Sequence, residues 1–186
     1  MQNLTIVIPY RNQRAALNRL LESLPADVPV IVVDDQSETP PDAWEDVRVI
    51  RPTTRGYFAG ACNAGINACD TDVLILNQDI WFDRGYSWLA KLDEWRAKYA
   101  VIGQGVAGHP AWPKGYIDGR FMFMRRDAIK AIGGFNMRDW PLWGGTCEWQ
   151  ARACRKGFKA LPLPELDWYS HEERHKSKFG ASITEA

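Results

Sequence analysis

Short apolar runs alternate with amphipathic stretches through the first hundred residues of the chain. The runs LTIVIPY, VPVIVVDD, VRVI and DVLIL are rich in β-branched residues and predict strands over residues 4–10, 28–35, 47–50 and 72–76. Between them, QRAALNRLLESL, YFAGACNAGINAC and GYSWLAKLDEWRAKY predict helices. This alternation predicts an α/β fold whose central sheet is mostly parallel and flanked by helices.

The pattern is less regular after residue 100. YIDGRFMFMRR predicts a strand, RDAIKAIGG a short helix that ends at its glycine pair, and residues 147–156 a further helix. A last strand is expected within ELDWYS, and the Pro- and Gly-rich stretch over residues 108–115 predicts a loop. A chain of 186 residues suits a single domain.

Polar residues directly follow two of the predicted strands. Asp34 and Asp35 end the second strand, and Asn77, Gln78 and Asp79 follow the run VLIL. Open α/β sheets bind ligands at the carboxyl ends of their strands. A carboxylate there can accept a hydrogen bond from a nucleoside, or hold Mg²⁺ or Mn²⁺ against phosphate oxygens. The residues alone fit ordinary Asp-containing turns equally well, so both interpretations stay open.

Charge and composition narrow the classes of protein. Lys+Arg and Asp+Glu are both 23, whereas a protein that binds phosphate backbones is usually basic. Nucleic acid is therefore left open as a partner but is not indicated by charge. No apolar run approaches the ~20 residues of a membrane span, and a strand-like run begins at Leu4, too early for a secretory signal. We expect a cytoplasmic protein without a transmembrane segment.

The cysteine spacing and one histidine motif are better explained by a structural role than by a metal or catalytic site. The cysteines form two Cys-x6-Cys pairs, and two helical turns separate their members by ~10.5 Å, too far for a disulfide; we expect buried thiols. HEERH, residues 171–175, matches a zinc-peptidase pattern that requires a helix and a third ligand. The preceding LDWYS predicts a strand, and the sole acid after this motif is Glu185.

Taken in order, these segments resemble the family-2 glycosyltransferases, which have the A-type nucleotide-sugar fold. The matching segments are VIPYRNQ, IVVDDQS, RGYFAGACNAGINA, VLILNQD, FMFMRRDAIKAIGGF and GGTCEWQARACRKGF. NQD in place of D-x-D resembles the branch with rhamnosyl- and galactofuranosyl-type transferases. The resemblance implies one Rossmann-like domain over residues 1–186. Its nucleotide-sugar-binding half would be 1–100, its acceptor and catalytic half 101–175, and its flexible tail 176–186.

The resemblance also implies roles for individual residues. The expected nucleotide-sugar contacts are Pro9, Tyr10, Arg11, Asp34, Asp35, Arg55, Gly56, Asn63, Asn77, Gln78 and Asp79. Asp79 would also hold a divalent metal, Mn²⁺ or Mg²⁺, and His171 falls where many relatives complete the metal shell. Relatives usually carry an acidic Glu-Asp pair at the start of a late helix, where this chain has Thr146 and Cys147.

The missing acidic pair leaves two candidates for the general base. Glu148 is the first candidate, although a carboxylate in the first turn of a helix is also favourable for the helix itself. Asp139 is the second.

The implied activity is metal-dependent, inverting transfer of a hexosyl or deoxyhexosyl group. The donor would be a nucleoside-diphosphate sugar, and the acceptor a hydroxyl of a glycan, a lipid-linked intermediate or a small molecule. The main alternative is a catalytically impaired relative that binds nucleotide sugars, which the missing acidic pair favours. A nucleotidyltransferase and a zinc peptidase are less favoured.

Overall fold

The computed structural model describes residues 3–107, 115–164 and 166–172. Its strands are β1 (Leu4–Tyr10), β2 (Val30–Asp34), β3 (Val47–Ile50), β4 (Asp72–Leu76), β5 (Ile80–Trp81), β6 (Val101–Val106), β7 (Tyr116–Met124), β8 (Ala160–Leu163) and β9 (Ser170–His171). Its helices are α1 (Arg14–Glu22), α2 (Tyr57–Asn67), α3 (Ser87–Trp95), α4 (Arg126–Ile132) and α5 (Gly145–Arg155). The predicted tail over residues 176–186, and all but the last residue of the predicted loop, lie outside the described residues.

Within the described residues, seven strands form one sheet in the order β3-β2-β1-β4-β7-β6-β8. β1 runs parallel to β2 and β4, β2 runs parallel to β3, and β6 runs parallel to β8. β7 is antiparallel to both of its neighbours, β4 and β6. The prediction of a mostly parallel sheet flanked by helices is confirmed. Because β7 is reversed, its first residues lie at the edge of the sheet where β4 ends.

Apolar side chains cover both faces of this sheet. In β1, Ile6 and Ile8 pack on one face with Leu17 of α1, while Val7 packs on the other face with Ile66 of α2. Burial on both faces explains why the parallel strands read as continuous apolar runs. The helices that cover the faces leave the carboxyl edge of the sheet available for polar groups.

The sequence pattern missed β6 and β8, and both carry residues that weaken a strand pattern. β6 contains Gly103 and Gly105, and a Cβ at Gly103 would lie 2.0 Å from the carbonyl oxygen of Phe121. The register of β6 against β7 shifts between these two glycines. β8 contains Pro162 and forms an edge of the sheet, where a residue without an N–H is tolerated.

A second, two-stranded sheet lies next to the end of β4. β5 pairs antiparallel with β9, with Ile80 opposite His171 and Trp81 opposite Ser170. The last predicted strand is therefore present but short, and it is displaced toward the C-terminal end of ELDWYS. This small sheet matters because it joins two distant segments of the chain.

Two other expectations concern thiols and membranes. Cys62 and Cys147 are buried free thiols, as expected, whereas Cys69 is half-buried and Cys154 is exposed. Burial raises the pKa of Cys147. Among the described residues, no helix has the length and apolar character needed to cross a bilayer.

Two glycines of α2 provide a test of the packing between this helix and the sheet. A Cβ at Gly65 would lie 2.3 Å from Val7 Cγ1, whereas a Cβ at Gly60 would meet only Met137 Cε, at 3.4 Å. We expect Gly65→Ala to lower the free energy of unfolding by about 1–3 kcal/mol through overpacking. The matched control, Gly60→Ala, should leave it unchanged or raise it by up to ~1 kcal/mol. Chemical denaturation measures both, and equal effects would contradict this description of the interface.

Candidate active site

The two candidate metal ligands, Asp79 and His171, lie side by side. Asp79 follows the end of β4 and is only 3% exposed. The pairing of Ile80 with His171, together with a hydrogen bond from Glu172 N to Asp79 O of 2.9 Å, joins the two segments. As a result, His171 Nε2 lies 3.7 Å from Asp79 Oδ1.

The chemistry of this pair fits a divalent cation. Carboxylate oxygen is a preferred ligand of Mg²⁺ and Mn²⁺, and imidazole nitrogen is a common ligand of transition metals. The part of the chain that the structure describes contains no group of three or more His, Cys, Asp or Glu that could hold a metal ion. A cation held by Asp79 and His171 would therefore take the rest of its ligands from phosphate and water.

Asp34 is engaged in fixing the loop after β2. Its side chain is buried and accepts a hydrogen bond from Ser37 N at 2.9 Å and another from the Arg51 guanidinium. Arg51 also donates to the carbonyl oxygen of Ser37 at 2.9 Å. The Asp34 carboxylate thus holds its own loop.

Asp35 connects the end of β2 to the start of α2. One carboxylate oxygen accepts a hydrogen bond from Gly56 N at 2.6 Å, and the other lies 3.7 Å from Arg55 Nε. The Arg55 guanidinium is partly exposed and lies over the Tyr57 ring, 4.2 Å from its centroid. A Cβ at Gly56 would lie 2.8 Å from the Cα of Gly60, so glycine is required at this approach. The predicted contacts Asp35, Arg55 and Gly56 therefore form one group.

Gln78 joins the ends of β1 and β4. Its Oε1 accepts a hydrogen bond from Arg11 N at 2.7 Å, and its Nε2 donates to Arg11 O at 3.2 Å and to Gln13 Oε1 at 2.7 Å. The side chain is 7% exposed. The Gln78 amide thus bonds to the backbone of Arg11 as a neighbouring strand would. It also holds Arg11 next to Asp35, whose carbonyl oxygen lies 3.5 Å from Arg11 Nη1.

Two predicted nucleotide contacts, Tyr10 and Asn63, form hydrogen bonds within the protein. Tyr10 is 1% exposed, and its hydroxyl donates to the carbonyl oxygen of Thr39 at 3.3 Å. Burial, followed by the nearby Asp34 carboxylate, raises the pKa of Tyr10. The Asn63 amide donates to Phe135 O at 2.9 Å and accepts from Phe135 N at 2.7 Å. Both side chains are therefore engaged within the fold, and their contact with a nucleotide sugar stays a prediction.

Two other predicted contacts lie at strand ends. Pro9 is half-buried in β1, opposite Val33 of β2. Asn77 follows β4, and its N–H donates to the carbonyl oxygen of Arg120 at 3.1 Å. Asn77 is therefore at the same sheet edge as Asp79.

The first candidate base, Glu148, forms an ion pair within α5. Its Oε1 lies 2.7 Å from Arg152 Nε, and its Oε2 lies 2.9 Å from Arg152 Nη2. The same guanidinium donates to the carbonyl oxygens of Ile132, at 2.7 Å, and Gly134, at 2.8 Å. Glu148 thereby orients the arginine that ties α5 to the end of α4.

The second candidate base, Asp139, lies in an exposed loop. Its carboxylate accepts a hydrogen bond from Asn136 Nδ2 at 2.9 Å, and its N–H lies 3.2 Å from Asn136 Oδ1. Asp139 is thus held by local contacts alone among those described.

Sequence reasoning missed a charged pair at the start of β7. Arg120 Nε and Nη2 lie 2.7 and 2.6 Å from Asp118 Oδ2. Burial acts to lower the pKa of Arg120, but the hydrogen bond and charge of Asp118 outweigh it, so this pKa is raised. The available signal was two charges at alternate positions of the predicted strand YIDGRFMFMRR. Alternate positions share one face of a strand.

The zinc-peptidase interpretation of HEERH is not supported. His171 belongs to β9, whereas the pattern requires both histidines on one face of a helix. Residues 173–175 lie outside the described part of the chain.

A mostly parallel sheet with acidic side chains at its carboxyl edge is typical of α/β proteins that bind nucleotides there. Comparison with known proteins narrows this class. The model of the family described as Glycosyl transferase family 2 matches residues 5–112, and the chain belongs to that family.

Two curated relatives are named "Pre-mycofactocin glycosyltransferase" and come from Mycobacterium tuberculosis strains CDC 1551 / Oshkosh and ATCC 25618 / H37Rv. Each is 39% identical to this chain, over 73% of the chain and 36% of the relative. The chain therefore spans little more than a third of the length of these relatives.

Solved glycosyltransferase structures share the fold at low identity. The mannosyltransferase PcManGT from Pyrobaculum calidifontis, in complex with GDP-Man and Mn²⁺, has a TM-score of 0.69 at 16% identity, over 88% of this chain and 55% of that one. GalNAc-T7 with UDP, GalNAc and Mn²⁺ has a TM-score of 0.71 at 14% identity, over 94% of this chain and 44% of that one. The predicted A-type glycosyltransferase fold is confirmed.

The role of Gln78 in joining two strand ends can be tested by removing its amide. Gln78→Ala leaves the Arg11 N–H and C=O groups without this partner, and we expect the free energy of unfolding to fall by about 1–3 kcal/mol. Chemical denaturation measures the change. Asn18→Ala serves as a control, because that half-buried amide donates to the side chain of Asp42 and leaves no backbone group unpaired. If Gln78→Ala costs no more than the control, the amide does not hold the two strands together.

Proposed function

We propose that this protein is a metal-dependent, inverting glycosyltransferase. It moves a hexosyl or deoxyhexosyl group from a nucleoside-diphosphate sugar to an acceptor hydroxyl. The observation that carries the proposal is the buried carboxylate of Asp79 at the carboxyl edge of the sheet, with His171 Nε2 at 3.7 Å. Membership of the family, and a fold shared with glycosyltransferases solved with Mn²⁺ and GDP-Man or UDP, support it.

The donor would lie along the polar edge of the sheet. Asp35, Arg55 and Gly56 are grouped where the second strand meets α2, and we propose that they contact the nucleoside. Asn77 follows β4 two residues before Asp79, which suits contact with the ribose or the diphosphate. Asp79 and His171 would hold Mn²⁺ or Mg²⁺. When bound, this cation supplies electrostatic stabilisation of the diphosphate.

The proposed reaction is a single displacement. The bond between the anomeric carbon and the diphosphate oxygen breaks, and its electron pair stays with the diphosphate. The acceptor oxygen forms the new bond on the opposite face of the sugar, and a carboxylate base takes the hydroxyl proton. No nucleophilic side chain has been assigned, so one displacement with inversion is the simplest course. Glu148 and Asp139 are the proposed bases.

The donor sugar and the acceptor remain matters for experiment. The rhamnosyl- and galactofuranosyl-type branch stays a prediction based on the NQD motif. Glycan, lipid-linked and small-molecule acceptors all fit the proposal. Pre-mycofactocin is the acceptor to test first, because two relatives at 39% identity carry it in their name.

A second candidate function is that of a nucleotide-sugar-binding protein without transfer activity. Both oxygens of Glu148 are engaged by Arg152, and Thr146 and Cys147 occupy the place of the usual acidic pair. Such a protein would bind the donor in calorimetry but neither transfer nor hydrolyse the sugar. Product analysis after prolonged incubation separates the two functions, and release of pyrophosphate instead would indicate a nucleotidyltransferase.

Removal of the Asp79 carboxylate tests the metal site directly. A thermal-shift screen of UDP-, GDP- and dTDP-sugars with and without Mn²⁺ should give a metal-dependent rise in melting temperature for the wild-type protein. We expect Asp79→Asn to abolish the metal-dependent part of this rise, because a neutral amide is a poor ligand for a divalent cation. The control is Asp83→Asn, since Asp83 is half-exposed and bonds Ser170 of β9. An unchanged rise in Asp79→Asn would refute the metal assignment.

The base can be separated from the structural ion pair by comparing two variants. Glu148→Gln and Arg152→Gln both break the pair, but only the first removes the carboxylate. If Glu148 is the base, Glu148→Gln lowers turnover by roughly 10²–10⁴ with donor binding unchanged, while Arg152→Gln lowers turnover far less. Steady-state kinetics and donor titration measure both effects. Equal losses in the two variants would show that Glu148 acts through the structure alone and would leave Asp139 as the candidate.

A further inference from the structure

The ion pair between Asp118 and Arg120 lies at the edge of the sheet that carries the candidate site. β7 is antiparallel to β4, with Leu76 opposite Phe121, and the ladder extends to a hydrogen bond from Asn77 N to Arg120 O of 3.1 Å. Residues directly opposite each other on antiparallel strands share a face of the sheet. Arg120 therefore lies on the same face as Asn77, two residues before Asp79.

Asp118 fixes one edge of the Arg120 guanidinium. Its Oδ2 binds both Nε and Nη2, at 2.7 and 2.6 Å, and its Oδ1 accepts the Arg120 N–H at 2.9 Å. The opposite edge of the guanidinium plane, which carries Nη1, points away from Asp118. The Arg120 side chain is 35% exposed and that of Asp118 is 18% exposed. The cation is thus oriented by the protein but still accessible to a ligand.

The backbone around Arg120 is held against two helices. The Gln150 amide of α5 accepts from Ile117 N at 2.9 Å and donates to Ile117 O at 2.7 Å. Gly119 packs against Phe58 in the first turn of α2, a ring that packs on the same core cluster as Ile117, so closely that a Cβ would lie 2.4 Å from the ring. Arg120 is therefore presented by a rigid part of the strand.

The negative charge at this edge of the sheet gives a reason for a second cation beside the divalent ion. When the sugar leaves, negative charge builds on the diphosphate, and Asp79 adds another negative charge to the same edge. A single divalent ion with Asp79 as a ligand leaves part of this charge uncompensated. An arginine is well suited to compensate the remaining negative charge, because its planar fork of N–H groups matches phosphate geometry.

We propose that Arg120 donates a hydrogen bond to the terminal phosphate of the nucleoside diphosphate, and that Asp118 is the positioning residue that orients it. The inference rests on the proposed function. As the bond from sugar to phosphate breaks, its electron pair remains on a phosphate oxygen of the group that Arg120 contacts. Arg120 stays protonated throughout, and the hydroxyl proton goes to the separate carboxylate base.

The other end of β7 provides a matched control. Arg125 and Asp127 have the same two-residue spacing, with distances of 2.6 Å from Nε to Oδ1 and 2.9 Å from Nη2 to Oδ2. Here the guanidinium also donates from Nη1 to the carbonyl oxygen of Arg96, at 2.9 Å. This pair lies at the amino edge of the sheet, away from Asp79. All three nitrogens of the Arg125 guanidinium donate to groups of the protein.

The test compares diphosphates with monophosphates. Isothermal titration calorimetry with Mn²⁺ measures UDP, GDP and dTDP against UMP, GMP and dTMP. For the diphosphate that the wild type binds, Arg120→Gln should weaken binding by about tenfold to a hundredfold, as expected for the loss of a hydrogen bond to a charged group. Binding of the matching monophosphate should not change. Arg125→Gln should leave both affinities as in the wild type, and Asp118→Asn should weaken diphosphate binding by a smaller factor.

Each of the other outcomes contradicts a particular part of the proposal. Equal diphosphate affinity in Arg120→Gln and the wild type overturns the role of Arg120, and so does an equal loss for the monophosphate. Wild-type affinity in Asp118→Asn overturns the positioning role of Asp118. If the wild type binds none of the three diphosphates, the proposed function fails and this inference fails with it. If Arg120→Gln does not fold, Arg120→Lys is measured instead. It retains the charge but loses the planar fork, so a several-fold loss confined to the diphosphate is expected, and its absence overturns the proposal.

Discussion

The pairing of β5 with β9 is the contact on which the candidate site depends. It brings His171 to Asp79 across more than ninety positions of the chain. A two-stranded ladder of this length is marginal by itself in water. The support comes from aromatic residues just before β9: the Tyr169 ring stacks on Phe121 of β7 with an interplanar angle of 1°, and Trp168 packs edge-on against the same ring at 5.6 Å. The geometry of the Asp79–His171 pair is therefore maintained by the apolar core beneath it.

Carboxamide side chains perform a second task that recurs around the sheet. Gln78, Asn63 and Gln150 each bind both the N–H and the C=O of one other residue, namely Arg11, Phe135 and Ile117. A carboxamide can do this because it carries a donor and an acceptor side by side, as a peptide group does. These bonds satisfy backbone groups where the regular ladder stops. They also explain why polar residues cluster at strand ends without every one of them facing a ligand.

This distinction marks the limit of what the sequence could predict. The runs that form β1, β2 and β4 were located from their apolar pattern, because burial on both faces leaves a strong local signal. β6 and β8 were missed because Gly103 is explained only by its close approach to β7, and Pro162 only by the edge position of β8, and neither is visible in the local pattern. In the site, Asp79 and His171 were named from motif position. The internal hydrogen bonds of Asn63 and Tyr10 could not be foreseen, since they depend on which backbone group lies opposite each side chain. Arg120 was missed for a related reason: its position beside Asn77 follows from the reversal of β7, which the local pattern does not encode.

The ion pair of Glu148 sets a condition that any role for this residue as a base must meet. A base must offer one oxygen to the acceptor hydroxyl, and both oxygens are now held by Arg152. The two bonds differ in what remains when each is broken. If Arg152 Nη2 releases Oε2, at 2.9 Å, it still donates to Gly134 O, at 2.8 Å. Arg152 Nε contacts Oε1, at 2.7 Å. Releasing Oε2 alone would cost about 1.5–3 kcal/mol, the value of a hydrogen bond to a charged group. General base catalysis contributes a factor of roughly 10²–10⁴, or about 3–5 kcal/mol. The gain exceeds the cost when only Oε2 is released, so the ion pair with Arg152 is compatible with Glu148 as the base, and Arg152 contributes only by orienting the carboxylate.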